Sequence, residues 1–572
     1  MKNYFIKCFL VASLILSSAR LLNGQAIETN VPALKDVFKN DFYIGCLLSY
    51  PHIGFATDPV VPGQSAVVSS TGGNLIKYHM NSMSPGNNMK PQYTVDLSGS
   101  AAAYNTAATQ ALKDSINVNP IIRFNGNLIA QLNWAKRQGF TFRGHTLVWH
   151  SQTPGTAFFR TGYSSTGARL TKEKMTERMG NYIKEVIRIL HESWPGLLSA
   201  FDVVNEAVND SGNDRTTDSE WYITFGDNSY LMKAFELTRK YTLQYGEPQI
   251  KLYYNDYNTH VPSKADGIVR ICKPIFDAGF LDGIGMQDHD QMNSPSAAQW
   301  IASYNKFFSV CNEMAVTELD VSTGSGTNNP PASVLASQAN QYAQLFKCFV
   351  ERSYFSKRGK VISVSKDGLN DQYTFVTNQS SSLWDTRNQC KPAFYAVVDV
   401  GIYYNKLDSL LNFTNTLKEN DYTTASWTSY TTALSSSKAV KGFNYNTGVS
   451  AADALKKAFT DLDASIKSLV LKTADVQTEF GIPVKYKLEQ NYPNPFNPST
   501  VISYHLPESG LVTLRVFDVL GSVVAELVNE FKGAGKYNYE FVTSNYQLVS
   551  GVYFYSLECG NFKDTKKFVL LR

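Results

Sequence analysis

FDVVNEAVND, Phe201 to Asp210, is the stretch on which the reading of the fold turns. Ala200, Phe201, Val203 and Val204 have the composition of a strand buried on both faces, as in parallel α/β sheets covered by helices. The run leads directly into Asn205 and Glu206. Strand interiors exclude an unpaired carboxylate because desolvation is costly, whereas the carboxyl ends of α/β-barrel strands tolerate one, since they open onto the catalytic face. Taken alone, Glu206 reads equally well as a solvated loop residue. A second stretch, EMAVTELDV at Glu313 to Val321, repeats the pattern: Met314, Ala315 and Val316 deliver Glu318, with Asp320 two residues on. Two strand-end glutamates in one domain suit glycoside cleavage, in which one carboxyl protonates the leaving oxygen and the other attacks the anomeric carbon or activates water.

Outward from these two runs, the span from about Asp41 to Val400 alternates strand and helix patterns eight times. The apolar runs are Tyr43 to Cys46, Leu75 to Met80, Thr141 to Val148, Ala200 to Asn205, Ile250 to Asp256, Gly283 to Gln287, Met314 to Glu318 and Lys360 to Ser365. That alternation predicts an α/β fold, a (β/α)8 TIM barrel. Between the strands, Glu173 to Leu190 sets Met175, Met179, Ile183 and Ile187 four residues apart, one stripe of an amphipathic helix. The polar residues that follow the third, fourth, sixth and seventh runs then share one face of the barrel.

With 572 residues, 43% apolar and 18% charged, the chain is globular material for several domains. A formal charge of +4 with no basic block implies neither a nucleic-acid groove nor a polybasic membrane patch. Aromatic residues at 13% fit a carbohydrate binder, and fit ordinary core composition equally well. Lys2 and Lys7 flank an apolar run ending near Ser17, followed by small and polar residues, which predicts a signal peptide over 1–24, cut after Ala19 or Gly24. No later segment is apolar enough to span a bilayer. Cys8 falls in the leader, and the spacing of Cys46, Cys272, Cys311, Cys348, Cys390 and Cys559 selects no disulfide pairing and no zinc pattern.

Five motifs carry a family resemblance: RGHTLVWHSQTPG at Arg143 to Gly155, FDVVNEA at Phe201 to Ala207, LYYNDYN at Leu252 to Asn258, DGIGMQDH at Asp282 to His289 and TELD at Thr317 to Asp320. In this order the span resembles the catalytic domain of family-10 glycoside hydrolases, the retaining endo-β-1,4-xylanases. The resemblance implies Glu206 as general acid/base, Glu318 as nucleophile, Asn205 on the 2-hydroxyl of the reacting sugar, and His289 on Glu318 with Asp320 behind it. It further implies that Gln287, His145, Trp149 and Gln152 line the adjacent sugar site, that Asn255 and Tyr257 lie toward the leaving group, and that no cofactor or metal takes part. Beside this reading, His145 and His150 face opposite sides of a strand and make a poor metal pair, and Asp202 and Asp256 are expected in structural hydrogen bonds.

Two segments depart from the family pattern. NSMSPGNNMK at Asn81 to Lys90 keeps Asn87 and Lys90 as sugar contacts but has Gly86 where the family has Glu. DGLNDQYTF at Asp367 to Phe375 has Asp367 and Phe375 where the family has two tryptophans, so the cover of the catalytic subsite is altered, and Asp367 is expected either beside the two glutamates or turned outward to Lys366 or solvent.

Past Val400, three apolar helical stripes predict a small helical bundle over 401–471, a spacer or a glycan binder, and 472–483 is a polar linker. The rest, 484–572, resembles the C-terminal sorting domain of type IX secretion substrates, opening on NYPNPFNPST at Asn491 to Thr500; alternation at Val512, Leu514 and Val516 separately predicts an antiparallel β-sandwich. The whole reads as a barrel over 27–400 in an exported, secreted or cell-surface monomer that meets xylan or xylooligosaccharides and, through its C-terminus, secretion machinery. Rival readings are a related retaining endoglycosidase on decorated xylan or another β-1,4-glycan, and a non-hydrolytic xylan-binding surface protein.

Overall fold

The structure, a computed structural model, describes residues 27–69, 71–442, 449–472, 483, 485–543, 546 and 548–571. The expected leader over 1–24 and all but residues 472 and 483 of the expected linker lie outside the described residues.

Eight parallel strands close a barrel: β1 (Tyr43–Leu48), β2 (Ser82–Pro85), β3 (Thr141–Trp149), β4 (Leu198–Asn205), β5 (Lys251–Asp256), β6 (Gly283–Met286), β7 (Glu313–Ser322) and β8 (Val361–Asp367). Cys46 of β1 pairs with Met83 of β2 on one side and Lys366 of β8 on the other, and Gly283 of β6 pairs with Glu313 of β7, which completes the ring. A short strand, His289–Gln291, adds to β7 with His289 opposite Asp320. The strands are buried along most of their length, β2 and β6 throughout, which is why they read as apolar runs and not as alternation.

One expected strand is a helix. Leu75 to Met80 falls in helix Gly72–His79, where Leu75, Ile76 and His79 form a buried stripe at helical spacing. Gly72 and Gly73 bring its first turn onto the chain; a Cβ on either would sit 2.0 Å from the His52 carbonyl or 2.2 Å from that of Ile53. The true second strand, SMSP, has no apolar run to announce it, and is held by pairing and by the Ser84 hydroxyl donating to the Arg143 carbonyl at 3.0 Å. Helix Lys172–Ser193 follows expectation, capped by Thr171 and burying Met175, Met179, Ile183 and Ile187.

Beneath the carboxyl ends of the strands lies a buried polar layer. The Arg143 guanidinium pairs with Asp202 and stacks over the Tyr253 ring at 4.0 Å, and the Tyr253 hydroxyl donates to Glu313. Buried charge persists only when paired. All six described cysteines are free, five of them buried.

Residues 399–572 cluster as a second compact unit. Its helical part includes Thr424–Lys441 and Ala451–Lys467, the latter burying Leu455, Ala458, Leu462 and Ile466. Its sandwich pairs a three-stranded antiparallel sheet containing Ser499–Leu506 and Gly535–Val542 with a four-stranded one containing Gly510–Phe517 and Gly551–Cys559. Val512, Leu514 and Val516 fill its core with Ile502, Phe541 and Phe568. Within this unit the Phe413 ring meets Phe531 at 5.2 Å, so the helical part touches the sandwich.

Candidate active site

Each barrel strand delivers its polar residues at its carboxyl end, where the ladder stops and side chains face a common mouth. Glu206 follows directly on β4, with its N–H donating to the Asn255 carbonyl at 2.9 Å and φ at +52°. That left-handed conformation is unfavourable for a residue with a Cβ, and it turns the chain off the sheet at the position of the carboxylate. The Glu206 carboxylate accepts from the Trp149 indole (3.0 Å), the Gln287 amide (2.9 Å) and the Asn205 amide (3.1 Å), three uncharged donors.

Glu318, inside β7, has a different neighbourhood. Its Oε1 accepts from the Asn255 amide at 3.1 Å and its Oε2 faces His289 Nε2 at 3.4 Å. The other ring nitrogen of His289, Nδ1, meets Asp320 at 2.9 Å. Burial pushes the Glu318 carboxyl up, but His289, His145 and Lys90 together outweigh it and hold it at about 2. For His289, burial acts downward, and the two carboxylates on either side lift it well above the ordinary histidine value. The pair is therefore an imidazolium against a carboxylate.

Amides join the two glutamates. The Asn205 carbonyl oxygen accepts from Asn255 at 2.9 Å and from Gln287 at 3.3 Å, while those same two side chains reach Glu318 and Glu206 respectively. Asn255, expected toward the leaving group, is 0% exposed, and Thr317 donates to its oxygen at 2.8 Å. Buried there, it bonds both Asn205 and Glu318. Tyr257 is half-buried and takes a hydrogen bond from Arg215 at 3.0 Å.

The remaining expected residues gather on the other flank. Lys90 donates to Asn87 and Gln152, both at 2.8 Å, and its ammonium lies 4.6 Å from the Trp149 ring centre. Burial pulls Lys90 below the ordinary lysine value, against the opposing pull of Glu318, Glu206 and Asp367. His145 is fixed by Asp202 at 3.0 Å, and Asp256 by Lys264 at 2.9 Å; both aspartates are structural, as expected. Burial lifts Asp256 to about 7, with Lys264 opposing and Glu206 adding to the rise. Among the described residues no group of His, Cys, Asp and Glu could hold a metal ion.

Two participants escape the sequence reading. Arg215 donates to the Glu206 carbonyl at 2.8 Å and grips Tyr257, yet it sits in a polar loop with no periodicity to mark it. Lys264 is wholly buried in the first turns of helix Pro262–Asp277, bonded to the Val208 carbonyl just past Glu206. Asp367 takes the inward of its two expected positions, on the side of Glu318 and His289, and does not turn outward to Lys366 or solvent. Its carboxylate is buried and tied to the backbone N–H of Phe375 and the Thr374 hydroxyl, while Lys366 spends its donors on the carbonyls of Asp367 and Gly368. The residue lies near Glu318 and His289, and its acceptor capacity belongs to the loop.

Comparison with known proteins places this geometry. Residues 490–571 match the secretion system C-terminal sorting domain. The endo-1,4-beta-xylanase Y of Acetivibrio thermocellus is 34% identical over 385 residues, 64% of this chain and 32% of that protein, so the chain spans about a third of that relative's length. A putative endo-1,4-beta-xylanase of Caldicellulosiruptor saccharolyticus is 30% identical over 324 residues, 55% of this chain and 97% of its own length. Among solved structures, an N-terminal endo-1,4-beta-D-xylanase of Clostridium thermocellum complexed with xylohexaose aligns with a TM-score of 0.53 at 30% identity, covering 64% of this chain and 67% of that one. An intracellular xylanase of Thermoanaerobacterium saccharolyticum complexed with xylotriose gives 0.52 at 26% identity, covering 65% and 100%. The matching family model, glycosyl hydrolase family 10, spans residues 33–400, and the chain belongs to that family.

Proposed function

We propose that the barrel is a retaining endo-β-1,4-xylanase that cuts internal bonds of xylan without a cofactor, with Glu206 as acid/base and Glu318 as nucleophile. The observation that carries this reading is the asymmetry of two strand-end carboxylates linked by amides: a cation bears on Glu318, and uncharged N–H donors alone hold the Glu206 side chain. An ionised Glu318 attacks the anomeric carbon while Glu206 gives its proton to the departing glycosidic oxygen, forming a covalent glycosyl-enzyme. Glu206, now a carboxylate, takes a proton from water, which attacks the same carbon and releases the sugar with its configuration retained. Asn205 meets the 2-hydroxyl; Gln287, His145, Trp149, Gln152, Asn87 and Lys90 take the sugars on one side of the cut, and Tyr257 those on the other. Xylan is the substrate class because relatives and structural neighbours over this barrel are named xylanases, two of the neighbours with xylooligosaccharides bound. The protein acts as a monomer outside the cell, with residues 1–24 removed on export and the C-terminal sandwich as the address read by the secretion machinery.

A second reading, a retaining endoglycosidase for decorated xylan or another β-1,4-glycan, draws on the replacement of two family tryptophans by Asp367 and Phe375. Product profiles on several polysaccharides separate the two. The assignment of roles is tested by substitution: Glu318→Ala loses hydrolysis of every substrate, whereas Glu206→Ala keeps the glycosylation step with activated aryl leaving groups that need no proton. An inverted first product by NMR, or wild-type turnover in Glu318→Ala, refutes it.

A further inference from the structure

At one end of the helical part of the second unit, the chain entering helix Thr424–Lys441 pairs with the chain leaving helix Ala451–Lys467. Tyr422 bridges Leu471, the Thr423 N–H donates to the Val470 carbonyl at 2.8 Å, and the Lys472 N–H donates to that of Asp421 at 2.9 Å. Three rings run outward here. Tyr430 is buried, Trp427 is half-buried with its ring centre 4.8 Å from that of Tyr430, and Tyr422, also half-buried, lies 5.7 Å from Trp427 with the two ring planes within 12° of parallel. Val470 and Leu471 beside them are 55% and 51% exposed. Apolar side chains left so open to water gain the fold little, since stabilisation follows the apolar area buried.

The helix surface next to these rings has its own signature. From Thr424 to Ser437 the helix carries no charged residue, and its exposed Thr424, Thr428, Thr432 and Ser436 recur four apart as a row of hydroxyls. The companion helix is different: its surface carries the ion pairs Lys457–Asp461 and Lys467–Asp463. Serine and threonine are weaker helix formers than lysine, glutamate or alanine, so the hydroxyl row is not composed for helix stability. Thr428 and Thr432 donate to the carbonyls four residues back, at 2.8 and 3.0 Å, and keep their oxygens as acceptors.

We propose that the Tyr422 and Trp427 rings, with the hydroxyl row beside them, form a second carbohydrate site that holds an uncharged β-1,4-glycan chain of the xylan class. Sugar C–H faces pack on aromatic rings, and sugar hydroxyls supply donors for the threonine oxygens. A surface without charge is the wrong complement for a nucleic acid, an acidic lipid surface or a charged peptide. The choice of xylan rests on the reading of the barrel as a xylanase; the choice of an uncharged glycan does not.

Depletion binding to insoluble xylan tests the proposal on the full-length chain carrying Glu318→Ala, which does not consume the polymer, with and without Trp427→Ala, the melting transition of each being recorded. The barrel cleft is the same in both, so the difference reads the second site. Trp427→Ala raises the Kd about tenfold, as for a lost stacking contact. Tyr422→Ala raises it in the same direction, Trp427→Phe restores most of the affinity, and the difference persists in added salt because no charge takes part. An equal Kd in Trp427→Ala overturns the proposal, as does a difference that salt abolishes. If Trp427→Ala does not fold, Tyr422→Ala decides by the same criterion. Should the wild type cleave no xylan, the reading of the barrel fails while the binding comparison still stands; retention on none of xylan, cellulose and mannan, or retention that Trp427→Ala leaves unchanged, overturns the site.

Discussion

Replacing His289 with alanine removes the imidazole that faces Glu318 at 3.4 Å and leaves the fold of β7 in place. Glu318 is held at about 2 against an ordinary 4.5. That depression corresponds to about 3 kcal/mol favouring the carboxylate. Burial works against it, so the charged neighbours supply more than the net. A hydrogen bond to a charged group contributes about 1.5 to 3 kcal/mol, so losing His289 returns Glu318 upward by about 1 to 2 pH units, with Lys90 and His145 retaining the rest. The acid limb of kcat/KM reports ionisation of the nucleophile in the free enzyme and moves from near pH 2 to between about 3 and 4. Hydrolysis of an activated aryl xyloside followed from about pH 2 to about pH 7, with circular dichroism at each point to establish that the variant is folded, reads the shift. The alkaline limb, which belongs to the acid, stays where it is. An unmoved acid limb in a folded variant refutes the account of how Glu318 is kept charged, and movement of the alkaline limb alone assigns His289 to the wrong carboxylate.

His79 is buried, with burial driving it down to about 3, so it stays neutral in the fold while the unfolded chain takes a proton below about 6.5; barrel stability falls as pH drops through that window by up to about 5 kcal/mol, and urea midpoints of His79→Leu lose most of this slope. Lys264→Met strands Asp256 without its cation and costs about 3 to 5 kcal/mol by urea denaturation, with a smaller loss in the double variant that also replaces Asp256 by asparagine. Truncation after Thr473 removes the sandwich and leaves xylan turnover by the barrel unchanged; a large loss of activity in a truncated protein with an intact barrel melting transition shows that the sandwich helps bind substrate.

What was legible in the chain follows from what local sequence can encode. Strand ends carrying Asn205–Glu206 and Glu318–Asp320 announced themselves because a buried parallel strand is an apolar run, and a carboxylate beyond it is out of character. Ser82–Pro85 was illegible for the converse reason: it is short, serine-rich and defined by its neighbours on both sides, while the apolar run before it belongs to a helix. Arg215 and Lys264 are known only through the loops they bridge, partners that no periodicity reveals. Asp367 was conspicuous as a departure from a family pattern, but its role depends on where Phe375 returns, which a loop eight residues long does not disclose in advance.

The free cysteines have a consequence for how this protein fails. Burial raises the thiols of Cys46, Cys311 and Cys348 to about 12, which leaves them unreactive in the fold, and no disulfide joins the described cysteines. Once the barrel opens, those thiols regain an ordinary acidity near about 8.5 and a thiolate population that air oxidises and scrambles. Unfolding at neutral or alkaline pH then becomes a one-way step. In the oxidising surroundings outside a cell, the useful lifetime of the catalyst is set by how seldom the barrel opens, a rate, more than by the depth of its free-energy well.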